Sequence, residues 1–254
     1  MKTLFSPAIT LMNQLNYGKK FAFLGIITLL AISILIYSLY LSLNQVVRNS
    51  EKQLKGLEFI PSISLTIQTL QQHRDWSASS LAGNTATFSN RITKELEVGL
   101  NFKKIEKQLH LQSDPNWISI KNSWANIVSN GLEWTVAKNF SKHTLLLEQL
   151  QLLKVLLADE HSLTFDSDID TFYLIDTSIN KLPEAMEQLA QLRAIGTNIL
   201  LKKQLSEHQH IEILTLIAKL ESSIKSLNIN LRKTASFTPN IDPKLTATSS
   251  NITI

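Results

Sequence analysis

Residues 21–47 read FAFLGIITLLAISILIYSLYLSLNQVV, 27 consecutive residues without a charged side chain. At about 1.5 Å per residue a helix of this length covers roughly 40 Å, more than the hydrocarbon core of a bilayer, about 30 Å thick. The stretch predicts a transmembrane helix. Ala31-Ile32-Ser33 loosely resembles a signal-peptide cleavage site, but the apolar run continues well past it and is too long for an h-region, so an uncleaved anchor is expected. Lys2, Lys19 and Lys20 precede the run, whereas only Arg48 closely follows it. Positive residues stay cytoplasmic, which predicts a cytoplasmic stub over residues 1–20 and export of everything after about residue 48.

The rest of the composition narrows the fold. The 254 residues include no cysteine, 7 glycines and 6 prolines. Disulfide scaffolds, thiolate metal sites and cysteine nucleophiles are excluded. So few turn residues among so many Leu and Ile argue against a sandwich or barrel, and so much apolar content argues against disorder. The expected class is all-α, an N-terminal transmembrane helix followed by an extracytoplasmic helical bundle. Setting Lys2, Lys19 and Lys20 aside from the 25 basic residues leaves 22 against 21 acidic ones, a net of +1. The excess of positive charge is a topology signal, and with no Lys/Arg run interleaved with aromatics no nucleic-acid partner is expected.

The bundle is expected over residues 48–233. Pro61 predicts a break at Ile60. Beyond it Ile63, Ile67, Leu70, Arg74, Ser77 and Leu81 recur at three- and four-residue spacing, a stripe that turns polar in its middle, and Gly83-Asn84 closes the helix. Further helices are expected over about 89–111, from Asp114-Pro115 to Asn130-Gly131, from about Ser141 to Leu157, from Pro183 past Ile199, and over a last helix carrying Ile213, Ile217, Leu220, Ile224, Leu227 and Leu231. The heptad-like spacing of that face asks for a partner helix. Residues 234–254, rich in Ser, Thr, Asn and Pro, read as a polar tail.

Few patterns suggest chemistry. Asp166, Asp168 and Asp170 have the one-three-five spacing of a calcium loop, but Thr171 stands where glycine is needed and Thr177 where the bidentate glutamate is needed. A capping, solubilising loop is the preferred reading. His208 and His210 are two apart and do not share a helical face, which suits a solvated helix start better than zinc. His73, His143 and His161 are scattered, with neither a nucleophile turn nor a phosphate-binding loop, so no enzyme, metal or cofactor is expected.

Arg74 stands out, because its place on the apolar stripe points a guanidinium into the bundle, where it needs anionic company. Two readings stay open. One is an internal salt bridge with Asp166, Asp168, Asp170 or Asp176; the other is a site where Arg74, Gln71 and Ser77 hold a small anion or polar ligand between helices. Asp170, Tyr173, Asp176, Asn180 and Arg193 form a second polar set, with Tyr173, Asp176 and Asn180 on one face, suited to interhelical hydrogen bonds or to a ligand pocket.

The run Leu70-Gln-Gln-His-Arg-Asp-Trp-Ser-Ala-Ser-Ser-Leu-Ala-Gly83 resembles the Q-H/E-R-G-x-S-x-x-x-L-x-G helix of bacterial extracytoplasmic sensors, among them nitrate- and nitrite-sensing helical domains. Asp75 stands where that pattern has glycine and sets a carboxylate next to Arg74. Asp168-Ile-Asp-Thr-Phe-Tyr-Leu-Ile-Asp176, with Leu182-Pro183 and Gln191-Leu-Arg-Ala-Ile-Gly196, resembles a segment of the periplasmic part of methyl-accepting chemotaxis proteins. Related regions front histidine kinases and diguanylate cyclases. The resemblance implies a ligand-sensing region of a chemoreceptor-like protein of the bacterial inner membrane, single-pass here and acting as a homodimer, with Arg74 as the anion contact. It also implies a chain that stops before the second span, HAMP linker and signalling coiled coil of such receptors. A structural single-pass membrane protein is the rival reading.

Overall fold

The computed structural model describes residue 10, residues 16–164 and residues 169–238. Among them every regular element is helical, so the all-α expectation holds. The chain divides into two units, residues 1–51 and 52–254, and α1 (Tyr17–Leu81) contributes its beginning to the first and its remainder to the second.

In the first unit the apolar side chains of α1 stand exposed around the helix, Phe21, Leu24, Ile34, Leu35 and Tyr40 among them. Apolar side chains exposed on all sides of a helix are consistent with a helix that crosses a membrane. The most apolar window of α1 has a mean hydropathy of 2.4, and among the described residues this is the one helix long and apolar enough to cross a membrane.

In the second unit α1 does not break at Pro61 but runs through it. The proline removes the donor for the Leu57 carbonyl. Leu57 is 48% exposed, so water can take that bond, while Ile60 and Ile63 on either side of the proline are buried and hold the helix in place. The buried positions Gly56, Ile60, Ile63, Ile67, Leu70, Arg74 and Ser77 follow a strict four-three spacing, the stripe read from the sequence extended back by two turns. Gly56 is required by a close approach: a Cβ there would lie 2.6 Å from His161 Cβ and 2.9 Å from Leu163 Cδ1. The same turn is tied to α1 by Gln53 Nε2, which donates to the Ser162 carbonyl at 3.1 Å.

Three further helices, α2 (Phe88–Leu109), α3 (Pro115–Asn130) and α4 (Val136–Glu160), close the bundle against α1. Asp114 caps α3 as its position before Pro115 predicts, accepting from Trp117 N–H at 2.8 Å. Helix α4 starts five residues earlier than expected, because Thr135 caps it through Lys138 N–H and the following Val-Ala-Lys-Asn-Phe continues the helix. The core is built from Ile63, Ile67 and Leu70 of α1, Phe102 and Ile105 of α2, Trp117, Ile120 and Trp124 of α3, and Leu146, Leu150 and Leu153 of α4.

The chain then forms α5 (Ile169–Asp176), a π-helical turn (Thr177–Lys181), α6 (Leu182–Lys202) and α7 (Glu207–Phe237). The wide turn has a local cause. Pro183 has no N–H for the Ile179 carbonyl, and the Gln151 side chain of α4 supplies one at 2.7 Å. Helix α7 packs on α5 and α6, which buries Leu227 and Leu231 and half-buries Leu220 and Ile224. The heptad-like face thus finds much of its partner within the chain, while Ile211, Leu214 and Ile217 toward its start remain exposed. Ser206 and Gln209 form a reciprocal capping box, which makes 207–210 a solvated first turn; His208 and His210 are exposed. Helix α7 continues to Phe237, four residues into the stretch read as tail. Asp166 and Asp168 of the calcium-like triple lie outside the described residues.

Candidate functional site

The six site residues read from the sequence fall into two separate groups. Gln71, Arg74 and Ser77 are buried together on α1. Tyr173, Asp176 and Asn180 lie on α5 and the π turn, where Asn180 bonds Asp176 and both Asp176 and Tyr173 bond side chains of α7. Asp176 Oδ1 accepts from Asn180 Nδ2 and Oδ2 from Asn230 Nδ2, both at 2.8 Å, and Lys233 Nζ donates to the Tyr173 hydroxyl at 2.8 Å. Both Asp176 oxygens are therefore occupied by neutral amides, which makes this group an interhelical hydrogen-bond set.

Arg74 is fully buried and its partner among the described residues is Glu187 of α6; of the expected aspartates, Asp176 is bonded to Asn180 and Asn230 instead, while Asp166, Asp168 and the Asp170 side chain lie outside the described residues. Arg74 Nη1 donates to Glu187 Oε1 at 2.6 Å and Nη2 to Oε2 at 3.1 Å, the two-pronged geometry in which guanidinium and carboxylate match best. Gln71 Nε2 adds a bond to Oε2 at 2.8 Å and Gln191 Nε2 one to Oε1 at 2.7 Å, so the carboxylate receives four hydrogen bonds. The guanidinium also donates to Thr144 Oγ1 at 3.0 Å and stacks 4.4 Å from the Phe140 ring centroid on α4. Asp75 pairs with Arg193 of α6 rather than with Arg74. Burial raises the Asp75 carboxyl above its usual range, against the pull of Arg193 and Arg74.

Two consequences follow for chemistry. The one guanidinium on the α1 stripe is already neutralised, so an anion can reach it only by taking the place of the Glu187 carboxylate. The polar atoms still open beside it are Arg74 Nε and Ser77 Oγ, buried and without a hydrogen-bond partner. Glu187 was missed in the sequence because i, i+4 Glu-Gln pairs are ordinary on exposed helix faces. Its signal was present in Arg74, whose burial demands a carboxylate from another element. Lys154 of α4 is another buried cation; its Nζ has no partner among the described residues, and burial pushes it down to about 8.

Next to Arg74 on α1, but turned toward α2 and α4, His73 makes a buried pair with His143. His143 Nδ1 lies 2.8 Å from the Asn139 carbonyl and must donate to it; His143 Nε2 then accepts from His73 Nδ1 at 2.9 Å. Burial, with the Arg74 and Arg91 charges, pushes His143 down to about 4, against the opposing hydrogen bond to Asn139. An unfolded histidine titrates near 6.5, so the unfolded chain binds a proton at His143 that the folded chain refuses between about pH 6.5 and 4. Stability from this group is complete above about pH 6.5 and falls as pH drops toward 4, by about 3 kcal/mol. Urea unfolding of the full chain in detergent at a series of pH values checks this, and a His143→Asn variant is expected to flatten the slope.

No protein-family model, no curated protein and no solved structure matches this chain.

Proposed function

We propose that this chain is the ligand-sensing region of a chemoreceptor-like signalling protein, anchored in the bacterial inner membrane by the start of α1 with its N-terminus inside and its bundle in the periplasm. The observation that supports this reading best is the placement of Gln71, Arg74 and Ser77, the polar residues of the sensor-like stretch. They are buried together on α1, where Gln71 and Arg74 meet α6 through Glu187. A small anion competing with Glu187 for Arg74 loosens the hold of α6 on α1. By that exchange ligand binding favours one helix packing over another, and the shift is as large as the difference in affinity for the two. The exposed Ile211, Leu214 and Ile217 of α7 suit a homodimer contact.

The test is thermal unfolding of the full chain in detergent with nitrate, nitrite and a panel of amino acids. A Glu187→Gln variant removes the competing charge, so its anion-dependent stabilisation is expected to exceed the wild type's, a tenfold affinity gain adding about 1.4 kcal/mol at saturation. Stabilisation of neither form by any of these ligands refutes the reading. A structural single-pass membrane protein is then favoured, a reading to which the fully occupied Glu187 carboxylate already lends weight.

A further inference from the structure

The chain of donors that starts at the Asn139 carbonyl has an open end. Because His143 Nδ1 must donate to Asn139 and His73 Nδ1 to His143 Nε2, His73 Nε2 carries a lone pair and no proton. It faces Glu95 Oε2 of α2 at 3.6 Å. Both atoms are buried; His73 Nε2 has no hydrogen-bond partner and Glu95 Oε2 has only the Arg91 guanidinium of its own helix beside it, so two acceptors confront each other away from solvent. A water donating to both at about 2.8 Å with a near-tetrahedral angle would hold them about 4.5 Å apart, so the gap is too narrow for one. One added proton fits: it turns the contact into a charge-assisted N–H···O bond, whose length of about 2.8 Å needs an approach of less than about 1 Å.

We propose that His73 Nε2 and Glu95 Oε2 form a buried binding site for a single proton, and that its uptake draws α1 and α2 together at this layer while the bundle stays folded. The groups facing His73 are Glu95 and Arg91 from α2, His143 from α4 and the Trp124 ring from α3, whose centroid is 5.0 Å away. His143 and Arg91 oppose a charge on His73, and Glu95 favours it. Arg91 Nη2 lies 2.8 Å from the same Glu95 oxygen, so the guanidinium and the proton compete for one acceptor. In the proton-free packing burial holds His73 down to about 2, and the tighter contact is what admits the proton. In the tightened contact the proton rests on the imidazole, a group intrinsically more basic than a carboxylate, and His143 stays neutral and accepts a stronger bond from it.

The experiment is nitrogen NMR of the histidine side chains in the full chain in detergent, with helical circular dichroism recorded on the same samples and a His73→Gln variant identifying the signal. His73 Nε2 is expected to move to its protonated position at a pH where the helical signal is intact. In Glu95→Gln, whose amide can donate to Nε2 without a proton, the midpoint falls by at least about one pH unit, a tenfold loss of proton affinity. Arg91→Gln, which removes the competing cation, is expected to raise it. The proposal is overturned if His73 stays neutral until the helical signal collapses. It is equally overturned if the midpoint is unmoved in whichever of the two α2 variants folds.

Discussion

Replacing Arg74 by alanine is expected to destabilise the bundle by about 3 kcal/mol, toward the lower end of what breaking a buried ion pair costs. Arg74 is fully buried, while the Glu187 side chain it leaves behind is 24% exposed and can be partly rehydrated. The loss has three parts: the two-pronged bond to Glu187, the bond to Thr144 and the stacking on Phe140. The double variant Arg74→Met with Glu187→Met removes both charges and leaves apolar groups of similar length, so it is expected to recover much of the loss. Denaturant unfolding of the full chain in detergent, followed by helical circular dichroism, measures all three proteins. A double variant no more stable than Arg74→Ala would show that the pair was not the source of the loss. In an anion-binding assay Arg74→Ala separates the two roles: an unchanged ligand response with lowered stability leaves only the internal salt bridge.

Trp117→Ala is expected to cost about 4 kcal/mol, within the range for emptying a fully buried tryptophan site. Trp117 has no exposed surface and stacks against Phe102 at 5.1 Å between ring centroids. Around it lie Trp124, Ile120 and the leucines of α4, so deletion leaves a void that four helices would have to close. Its indole N–H is buried without a partner, and losing that donor offsets a small part of the penalty. Leu96→Ala on the exposed face of α2 supplies the control, where a change within about 0.5 kcal/mol is expected. Equal losses at the two positions would mean that the core does not sit where Trp117 places it.

The helix stripes were legible wherever burial follows a three- and four-residue rhythm. Ile63, Ile67, Leu70, Arg74 and Ser77 were read as one face and are one face, and Trp117, Ile120, Trp124 and Ile127 likewise. Local chemistry also placed the Asp114-Pro115 start, because an N-cap needs only its own next turn. Pro61 departs from the local expectation for the complementary reason. Whether a proline ends a helix depends on what holds the flanking residues, and Ile60 and Ile63 are held by other segments. Pro183 shows the same dependence, since its missing donor is made good by Gln151 of α4.

By itself the sequence determined an all-helical chain, one apolar helix long enough to cross a bilayer, and a guanidinium turned inward; each depends on composition or on the period of a single helix. Partnership needed the tertiary structure. That Glu187 pairs with Arg74, that Asp75 turns to Arg193, and that His73 meets His143 and Glu95 are contacts between residues of different helices. No local pattern encodes them, because which carboxylate reaches a buried cation is settled by the rotation and register of two helices packed together.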